Sequence, residues 1–380
     1  MREGWTYKKL GDVCKVVMGQ SPDGNSVNDS NGMEFHQGKV FFGEKYLNES
    51  NFFTKQPSKI AEPNSVLLCV RAPVGIVNIT PRKICIGRGL CAIQPNEKVL
   101  MPFLFFVLTQ KQAYFDKNST GSTFKAIPSK VVINTDIPIP PLSEQERIVS
   151  ELDLLSSIIE KKKEQLKAYD QLAQSIFYDM FGDPIENPKG WEVKKLGEVC
   201  SKISDGVHAK PKYTESGMPF ISVVNINKRY LDFDNCKFVS FEDGESINKR
   251  AKPQRNDVLY TKVGATYGIP ALVDTDKDFC LYVSVCLIKP LHKIIDSVFL
   301  TNMMALPYVK HQADERIKGI GVPDLHLNQI SAFNIIIPPL SLQQSFAEKI
   351  EAIEKQKSLI QQSIVETQTM FDFTMDKYFG

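Results

Sequence analysis

The 380-residue chain contains two related halves, and this internal repeat constrains its fold more than any other feature. Residues 5–14 (WTYKKLGDVC) recur as residues 191–200 (WEVKKLGEVC), with seven of ten positions identical and an offset of 186. The offset grows along the chain and stays at 198 from Gly121 and Gly319 onward. Loops absorb insertions at little cost, whereas one residue inserted into a packed helix rotates all that follows by about 100°. We therefore predict that each half is a loop-rich domain followed by a segment of fixed length.

Both fixed segments have the pattern of a long helix. Each begins with a capping-box sequence, SEQE at residues 143–146 and SLQQ at residues 341–344, which predicts a helix start at the serine. Apolar residues then recur at alternating spacings of four and three, as in a coiled coil, with one lysine in each series, Lys162 and Lys357. We predict that the two helices, each on the order of 55 Å long, pack together; an ordinary core helix is the alternative. The predicted packing residues are Ile148, Leu152, Leu155, Ile159, Leu166, Tyr169, Ile176, Phe346, Ile350, Ile353, Ile360, Ile364 and Phe371.

The remainder of each half has the pattern of a strand-rich domain. Short apolar alternations are broken by Gly, Pro, Asn and Asp, as in SVLLCV (65–70), KICI (83–86), VVINTDIPI (131–139) and FNIII (333–337). A few short helices are also expected, one of them over residues 103–115. The predicted fold class is α+β, with two repeated strand-rich α/β domains related by a pseudo-twofold internal repeat. The predicted boundaries are 1–141 for the first domain, 142–182 for its helix, 183–190 for a linker, 191–339 for the second domain and 340–380 for its helix.

Charge is distributed unevenly along the chain. The net charge of +2 combines +6 over residues 1–141 and +2 over residues 191–340 with −4 over residues 142–190 and −2 over residues 341–380. Basic domains whose loops carry groups for base edges and phosphates are typical of DNA binding. The candidate DNA-contacting residues are Gln20, Ser21, Gln37, Lys39, Arg71, Arg82, Lys83, Arg88, Ser119, Thr120, Ser122, Thr123, Lys125, His208, Lys210, Lys212, Lys228, Arg229, Lys262, Thr266, Tyr267 and Lys318, and Lys249 and Arg250 add further positive charge.

Each of these candidates has a second interpretation. A single Lys or Arg is otherwise a solvated surface charge, and His208, in the segment DGVH, is otherwise a side chain that stabilises a turn.

Motifs for catalysis, metal binding and membrane insertion are absent from the sequence. It has no G-x-x-x-x-G-K-[ST] loop for ATP, no Pro-Pro-aromatic motif of an amino-methyltransferase and no acidic nuclease motif, so we predict no cofactor. The cysteine pairs 85/91 and 280/286 are too far apart in an extended strand to share zinc, so we predict no metal. The longest apolar run, residues 103–108, is too short to span a bilayer, and no signal peptide or C-x-x-C pair occurs. These features predict a cytoplasmic protein without disulfides.

Several segments together resemble one known family, the DNA specificity subunit of type I restriction-modification systems. They are the W-x-x-K-K-L-G-[DE]-V-C opening of each half, GQSP (19–22), FHQGK (35–39), SDGVHAKPKY (204–213), MPFISVVNI (218–226), IPIPPLSEQERI (137–148) and FYDMFGDP (177–184). The resemblance covers nearly the whole chain. The second Pro-Pro segment departs from the pattern, with Leu342 and Gln344 where the first has Glu144 and Glu146.

The resemblance implies a non-catalytic protein with two target recognition domains, each reading one half of a bipartite, asymmetric site in double-stranded DNA. The two helices would pack as an antiparallel coiled coil and set the spacing between the half-sites. Two methylation subunits would dock along the helices, and restriction subunits would join them for cleavage, so adenine methylation and ATP-driven translocation would belong to partners. The alternatives are a coiled-coil scaffold whose globular domains bind proteins, and an enzyme with an unrecognised site.

Overall fold

A computed structural model of the chain describes residues 4–121, 125–226, 229–317 and 321–380. The chain divides into two compact units, one formed by residues 1–163 with 362–380 and the other by residues 164–361. Each unit contains a strand-rich domain and one segment of each long helix. No helix in these described ranges combines the length and the apolar character that crossing a membrane requires.

The first half of the chain runs from a short N-terminal strand to the first long helix. Its strands are β1 (Thr6–Lys9), β2 (Cys14–Met18), β3 (Val27–Asn28), β4 (Met33–His36), β5 (Phe53–Thr54), β6 (Ile60–Ala61), β7 (Ser65–Cys69), β8 (Val77–Thr80), β9 (Ile84–Ile86), β10 (Leu90–Pro95) and β11 (Asp136–Ile139). Its helices are α1 (Leu10–Val13), α2 (Met101–Gln110), α3 (Gln112–Lys117), α4 (Ser129–Ile133) and the long α5 (Leu142–Phe181), and a 3₁₀ turn covers Lys39–Phe41.

Within the described residues, the second half follows a similar order with fewer strands and with a helix, α6, that the first half lacks. Its strands are β12 (Glu192–Lys195), β13 (Cys200–Asp205), β14 (Met218–Ile221), β15 (Lys237–Val239), β16 (Val258–Thr261), β17 (Pro270–Leu272), β18 (Cys280–Leu281), β19 (Val285–Pro290) and β20 (Asn334–Ile337). Its helices are α6 (Phe241–Ala251), α7 (Ser297–Met304), α8 (Pro307–Arg316), α9 (Leu327–Ser331) and the long α10 (Leu340–Phe379), and a 3₁₀ turn covers Val223–Asn225. The prediction of two repeated α+β domains, each followed by a long helix, is confirmed.

Corresponding sheets form the core of each unit. The central sheet has the order β2-β10-β7-β8 in the first unit and β13-β19-β16-β17 in the second, with antiparallel neighbours in both. A second sheet contains a parallel pair, β4 with β9 in the first unit and β14 with β18 in the second. Because an antiparallel partner separates β2 from β7, these two strands run in the same direction and end at the same edge of the sheet.

The most similar segment of the repeat joins each domain to its long helix. Strand β1 pairs with β11, and β12 pairs with β20, and β11 and β20 lead directly into α5 and α10. The second lysine of the repeated Lys-Lys dipeptide also links the two paired strands through its side chain. Lys9 Nζ lies 2.8 Å from Asp136 Oδ2, and Lys195 Nζ donates to Asn334 Oδ1 at 2.7 Å. This junction explains why residues 5–14 and 191–200 are so alike, since each supports the same strand and helix start.

Two local predictions differ from the structure. In the VVINTDIPI segment only residues 136–139 form a strand, because residues 129–133 form the short helix α4. Val131 N donates to the carbonyl of Pro128 at 2.9 Å, and Val132 is fully buried, so packing overrides the β-propensity of Val and Ile. The predicted helix over residues 103–115 is confirmed as two helices, α2 and α3, that meet at Lys111.

The long helices begin at Leu142 and Leu340, one residue before the serines at which the capping-box pattern predicts the helix start. The serines therefore lie inside the first turn, and the carbonyl of Pro141 accepts hydrogen bonds from Glu144 N at 2.9 Å and Gln145 N at 3.0 Å. At 1.5 Å per residue, 40 residues give each helix a length of about 60 Å.

A buried glutamine fastens the first turn of each long helix to the domain before it. Gln145 accepts from Leu100 N at 2.8 Å and donates to the carbonyls of Lys98 and Pro140 at 2.9 and 3.0 Å. In the second half the equivalent Gln343 accepts from Asp296 N at 2.8 Å and donates to the carbonyls of Ile294 and Pro338. Both glutamines are fully buried, and each satisfies three backbone groups in buried or part-buried surroundings.

Replacing Gln343 with alanine is expected to lower the free energy of unfolding by about 2–4 kcal/mol, because it leaves one buried and two part-buried backbone groups without the glutamine as a partner. Chemical denaturation of the full-length chain measures this change. Gln344→Ala is the matched control, since its side chain is exposed on the same helical turn and its loss should change stability by less than about 0.5 kcal/mol. Equal effects of the two substitutions would contradict the anchoring role.

The two helices run in opposite directions within the first unit. Near the start of α5, Arg147 Nη2 donates to Tyr378 Oη near the end of α10 at 3.0 Å. Further along, Lys162 Nζ donates to the carbonyl of Ser363 at 3.2 Å and to Thr367 Oγ1 at 3.0 Å. The lysine within the apolar series is therefore satisfied by polar groups of the opposite helix segment.

The second unit contains the complementary helix segments. Lys357 Nζ lies 2.8 Å from Asp170 Oδ1 and 2.9 Å from Glu354 Oε1. The ring of Phe346 packs against Phe177 and Phe181, with centroids 5.6 and 5.4 Å apart. Across both units every predicted packing residue is buried or half-buried.

The segment between the halves folds back on the end of α5. Gly182 takes a left-handed conformation with φ of 79°, and its N–H donates to the carbonyl of Tyr178. Lys189 Nζ donates to the carbonyl of Met180 at 2.8 Å, and Trp191 Nε1 donates to that of Phe181 at 2.9 Å. These donors satisfy carbonyls that the helix end leaves without partners.

Candidate nucleic-acid interface

In the first unit, candidate residues from separate parts of the sequence meet at one edge of the sheets. Gln37 and Lys39 follow strand β4, Arg71 follows β7 and Arg88 follows β9. The four side chains line a cavity of about 160 Å³ together with Gly38, Cys69, Ala72, Pro73 and Gly89. We call Gln37, Lys39, Arg71 and Arg88 the first edge.

Backbone hydrogen bonds hold the strand ends of the first edge together. Gln20 N donates to the carbonyl of Ile86 at 3.0 Å, Gly87 N to that of His36 at 2.8 Å, and Val70 N to that of Gly89 at 2.9 Å. A Cβ atom at Gly19 would lie 2.1 Å from the carbonyl oxygen of Gly87, so only glycine permits this approach. Gln20 and Ser21, the next two residues, are thereby placed beside Arg88, whose N–H lies 3.5 Å from Ser21 Oγ.

Three further candidates, Ser119, Thr120 and Lys125, lie near Arg71, which forms a β-bridge with Ala126. Thr120 and Ala126 exchange two backbone hydrogen bonds of 2.8 and 2.9 Å, and Ala72 N donates to the carbonyl of Lys125 at 3.1 Å. Lys125 Nζ lies 2.7 Å from Asp116 Oδ1, and Ser119 Oγ donates to the carbonyl of Asp116. Ser119, Thr120 and Lys125 therefore border the first edge, while Ser122 and Thr123 lie outside the described residues.

The first edge is positively charged. Three of the residues lining its cavity are Lys39, Arg71 and Arg88, and among the described lining residues none carries a carboxylate. Arginine and lysine at such a site suit phosphate oxygens and the O6 and N7 acceptors of guanine, and the amide of Gln37 suits adenine.

Arg82 and Lys83 are occupied elsewhere in the first unit. Arg82 Nη2 donates to Glu34 Oε1 at 2.6 Å and to the carbonyl of Asn48 at 2.8 Å, and its Nη1 donates to the carbonyl of Leu47. Burial alone would raise the pKa of Glu34, but hydrogen bonds from Arg82, Ser50 N and His36 outweigh it and hold the pKa at about 2. Lys83 pairs with Glu62 at 3.2 Å. Arg82 thus belongs to a hydrogen-bond network with Glu34 and the carbonyls of Leu47 and Asn48.

The second unit has a corresponding edge with different side chains. Val207 N donates to the carbonyl of Leu281 at 3.0 Å, Tyr282 N to that of Ile221 and Lys262 N to that of Ser284, both at 2.9 Å. These are the counterparts of the three bonds in the first unit. Gly206 repeats the role of Gly19, since a Cβ there would lie 1.9 Å from the carbonyl oxygen of Leu281.

A cluster of charges occupies this second edge, which we define as Asp205, His208, Arg250, Lys262 and Asp324. Arg250 Nη2 lies 2.6 Å from Asp205 Oδ1, and His208 Nε2 lies 3.3 Å from the same oxygen. Lys262 Nζ lies 3.2 Å from Asp324 Oδ1 and 3.7 Å from Asp205 Oδ2. The side chains of Lys262 and Asp205 are buried, whereas those of His208, Arg250 and Asp324 are exposed. The exposed side chains can therefore offer a ligand hydrogen-bond donors, from His208 and Arg250, and an acceptor, from Asp324.

Two members of the second edge, Asp205 and Asp324, are not among the sequence-based candidates, because those candidates are basic, hydroxyl and amide side chains and include no carboxylate. Arg250, predicted only as additional positive charge, comes from helix α6, 42 residues beyond His208. The segment DGVH did draw attention to Asp205, since it places this residue three positions before His208.

The remaining candidates of the second unit lie in other surroundings. Lys210 Nζ lies 6.0 Å from the ring centroid of Tyr213, and the side chain of Lys212 is exposed. The carbonyl of Thr266 accepts from Thr261 Oγ1, and the ring of Tyr267 lies 3.4 Å from Lys310 Nζ. Lys228 and Lys318 lie outside the described residues.

Arg229 contacts a helix of its unit. Its guanidinium donates to Asn302 Oδ1 at 3.3 Å. Asn302 belongs to helix α7, so the described contact of Arg229 is with a helix. In the part of the chain that the structure describes, no group of three or more His, Cys, Asp or Glu side chains could hold a metal ion.

The chain is similar in sequence to the members of one protein family. A family described as "Type I restriction modification DNA specificity domain" matches the chain twice, over residues 2–168 and 188–368. The putative type I restriction enzyme MjaX specificity subunit of Methanocaldococcus jannaschii is 41% identical over 172 residues, which cover 43% of this chain and 40% of that protein. The type I restriction enzyme MjaIX specificity subunit of the same organism is 25% identical over 398 residues, covering 92% of this chain and 86% of that protein.

Two solved structures share the fold over almost the entire chain. One is the S subunit of a type I restriction-modification system from M. genitalium, with a TM-score of 0.59, 13% identity, and coverage of 99% of this chain and 96% of that one. The other is a chain from a study of complex assembly and conformational transition in the type I R-M system, with a TM-score of 0.59, 21% identity, and coverage of 100% and 98%.

Proposed function

The chain belongs to the family of type I restriction-modification DNA specificity proteins, and we propose that each of its two edges reads one half of a bipartite, asymmetric site in double-stranded DNA. The family membership gives the chain a role in DNA sequence specificity. The recognition domains in this proposal are residues 1–141 and 191–339, with residues 142–182 and 340–380 as spacer helices and 183–190 as the linker.

One observation supports this proposal most strongly: the two edges share a pattern of backbone hydrogen bonds but carry different side chains. Three matching hydrogen bonds and a close-approach glycine place the loops in both units. The first edge presents cations and an amide, whereas the second presents cations beside carboxylates. Carboxylates accept from the amino group of cytosine, while arginine prefers guanine. Two such surfaces on one chain suit two different half-sites.

The long helices support a second part of the proposal, in which they determine the separation of the half-sites. Each helix is continuous over 40 residues, and a helix of fixed length makes a stiff spacer. Buried Gln145 and Gln343 tie the helix starts firmly to the domains. We propose that two methylation subunits dock along these helices and that restriction subunits complete the complex, so the chain itself directs adenine methylation and cleavage without catalysing them.

Replacing Arg71 or Arg88 with alanine is expected to weaken DNA binding by about 1–3 kcal/mol each, since each removes one cationic contact from the first edge. If the contact is to a phosphate, the slope of log K against log salt should also fall by about one. Fluorescence anisotropy with the full-length chain and its target duplex at several salt concentrations measures both quantities.

The matched control for these variants is Arg255→Ala. Arg255 is also an exposed arginine, but it pairs with Asp276 at 2.8 Å, outside both edges. Its loss should leave binding nearly unchanged. Full-strength binding by both the Arg71 and Arg88 variants would contradict the assignment of the first edge, and a chain without affinity for any duplex would favour the scaffold alternative.

A further inference from the structure

A turn beside each edge contains a valine whose side chain is largely exposed to solvent. Val40 lies on the 3₁₀ turn Lys39–Phe41, which Gln37 and Gly38 separate from strand β4, and its exposed fraction is 84%. Val224 lies on the 3₁₀ turn Val223–Asn225, which Ser222 separates from strand β14, and its exposed fraction is 65%. The two strands correspond, because β4 pairs in parallel with the strand of Cys85 and β14 with that of Cys280.

Each turn is anchored by the residue that follows the valine. Phe41 packs edge-on against the buried ring of His36, with centroids 5.5 Å apart. Asn225 is buried, donates to the carbonyls of Asp232 and Asn235, and accepts from Ser222 N at 3.0 Å. The turns are therefore fixed while the valines stay in solvent.

The turns also adjoin the polar groups of the edges. Lys39, on the same turn as Val40, lines the cavity with Arg71 and Arg88. Val223 N donates to Ser284 Oγ at 3.2 Å, and the carbonyl of Ser284 accepts from Lys262 N of the second edge. Each valine therefore lies on a turn whose backbone adjoins that of charged residues of the edge.

Single exposed apolar residues are common on protein surfaces and need no explanation by themselves. Here, however, the feature recurs on corresponding turns of two halves that otherwise differ there in sequence, HQGKVFF in the first and ISVVNIN in the second. The apolar group that DNA displays beside its hydrogen-bonding pattern is the C5-methyl group of thymine in the major groove.

We propose that Val40 and Val224 contact thymine methyl groups and so contribute to the specificity of the first and second half-sites. This inference rests on the proposed function and adds to it an apolar component. It requires that each half-site contain at least one A·T pair. Neither valine supports the fold, so their role can be tested without disturbing it.

Uracil substitution in the DNA tests the contact, because it removes the thymine methyl group and leaves base pairing intact. The full-length chain is titrated with its target duplex, in which each thymine of the two half-sites is replaced by deoxyuridine in turn. Loss of a contacted methyl group should weaken binding about fourfold at one position in each half-site. Val40→Ser should abolish the sensitivity in the first half-site and retain it in the second, and Val224→Ser should do the reverse, so each variant is the control for the other.

Three results would overturn the inference while leaving the proposed function intact. They are a half-site made only of G·C pairs, sequence-specific binding that is insensitive to every uracil, and a sensitivity that persists in both valine variants. A chain that binds its target and a scrambled duplex equally well would instead contradict the proposed function, and the inference with it.

Discussion

Replacing Phe346 with alanine is expected to lower the free energy of unfolding of the second unit by about 3–5 kcal/mol. Phe346 is fully buried near the start of α10, and its ring contacts Phe177, Phe181 and Phe299 with centroid separations between 5.4 and 6.2 Å. Alanine would remove one ring of the aromatic cluster that joins the two helix segments to helix α7 and leave a cavity among the remaining rings. Denaturant unfolding of the full-length chain measures the loss.

The same helix offers a matched control, Phe373→Ala. The Phe373 side chain is 70% exposed, so its removal should change stability by less than about 0.5 kcal/mol. If the two substitutions have similar effects, the aromatic cluster does not hold the helix segments together in the second unit.

The periodic elements could be predicted from the sequence because each depends on a local pattern. The apolar packing residues follow helical spacing, from Ile148 to Ile176 in the first long helix and from Phe346 to Phe371 in the second. This local pattern is enough to predict the buried face of each helix. The two lysines in the series were visible as exceptions, but their partners were not. Lys162 finds Ser363 and Thr367 about 200 residues away, and such a pairing has no local signal.

The short helices and strands were harder to predict because their residues are compatible with more than one secondary structure. Val131 and Val132 favour a strand by propensity, yet they form a helical turn after Pro128, where packing of Val132 into the core decides the outcome. The capping-box pattern located both long helices, although the true first residues are the leucines before the serines.

The candidate edges were predicted only in part. Loop cations such as Arg71 and Arg88 could be selected by charge, but their convergence at one cavity depends on strands that end together. Arg82 looked equivalent in sequence and is instead bound to half-buried Glu34. The carboxylates of the second edge could not be selected by positive charge, although they distinguish it chemically from the first.

The central claim is that each domain reads its own half-site, and exchanging residues 1–141 for the corresponding domain of another family member should have the largest functional effect. The junction strands β1 and β11 are exchanged together, so their pairing stays within the new domain, and buried Gln145 of the retained α5 can bind the backbone of that domain as it binds Leu100 here. The second edge and both helices keep their own residues. We therefore expect the first half-site to change completely, with the second half-site and the gap between them unchanged.

Mapping methylated adenines across the genome by single-molecule sequencing, in cells that carry the original or the exchanged gene, tests this claim most directly. The account predicts a new site that shares one half and the spacing with the original site. A change in both halves, or no change in either, would contradict it.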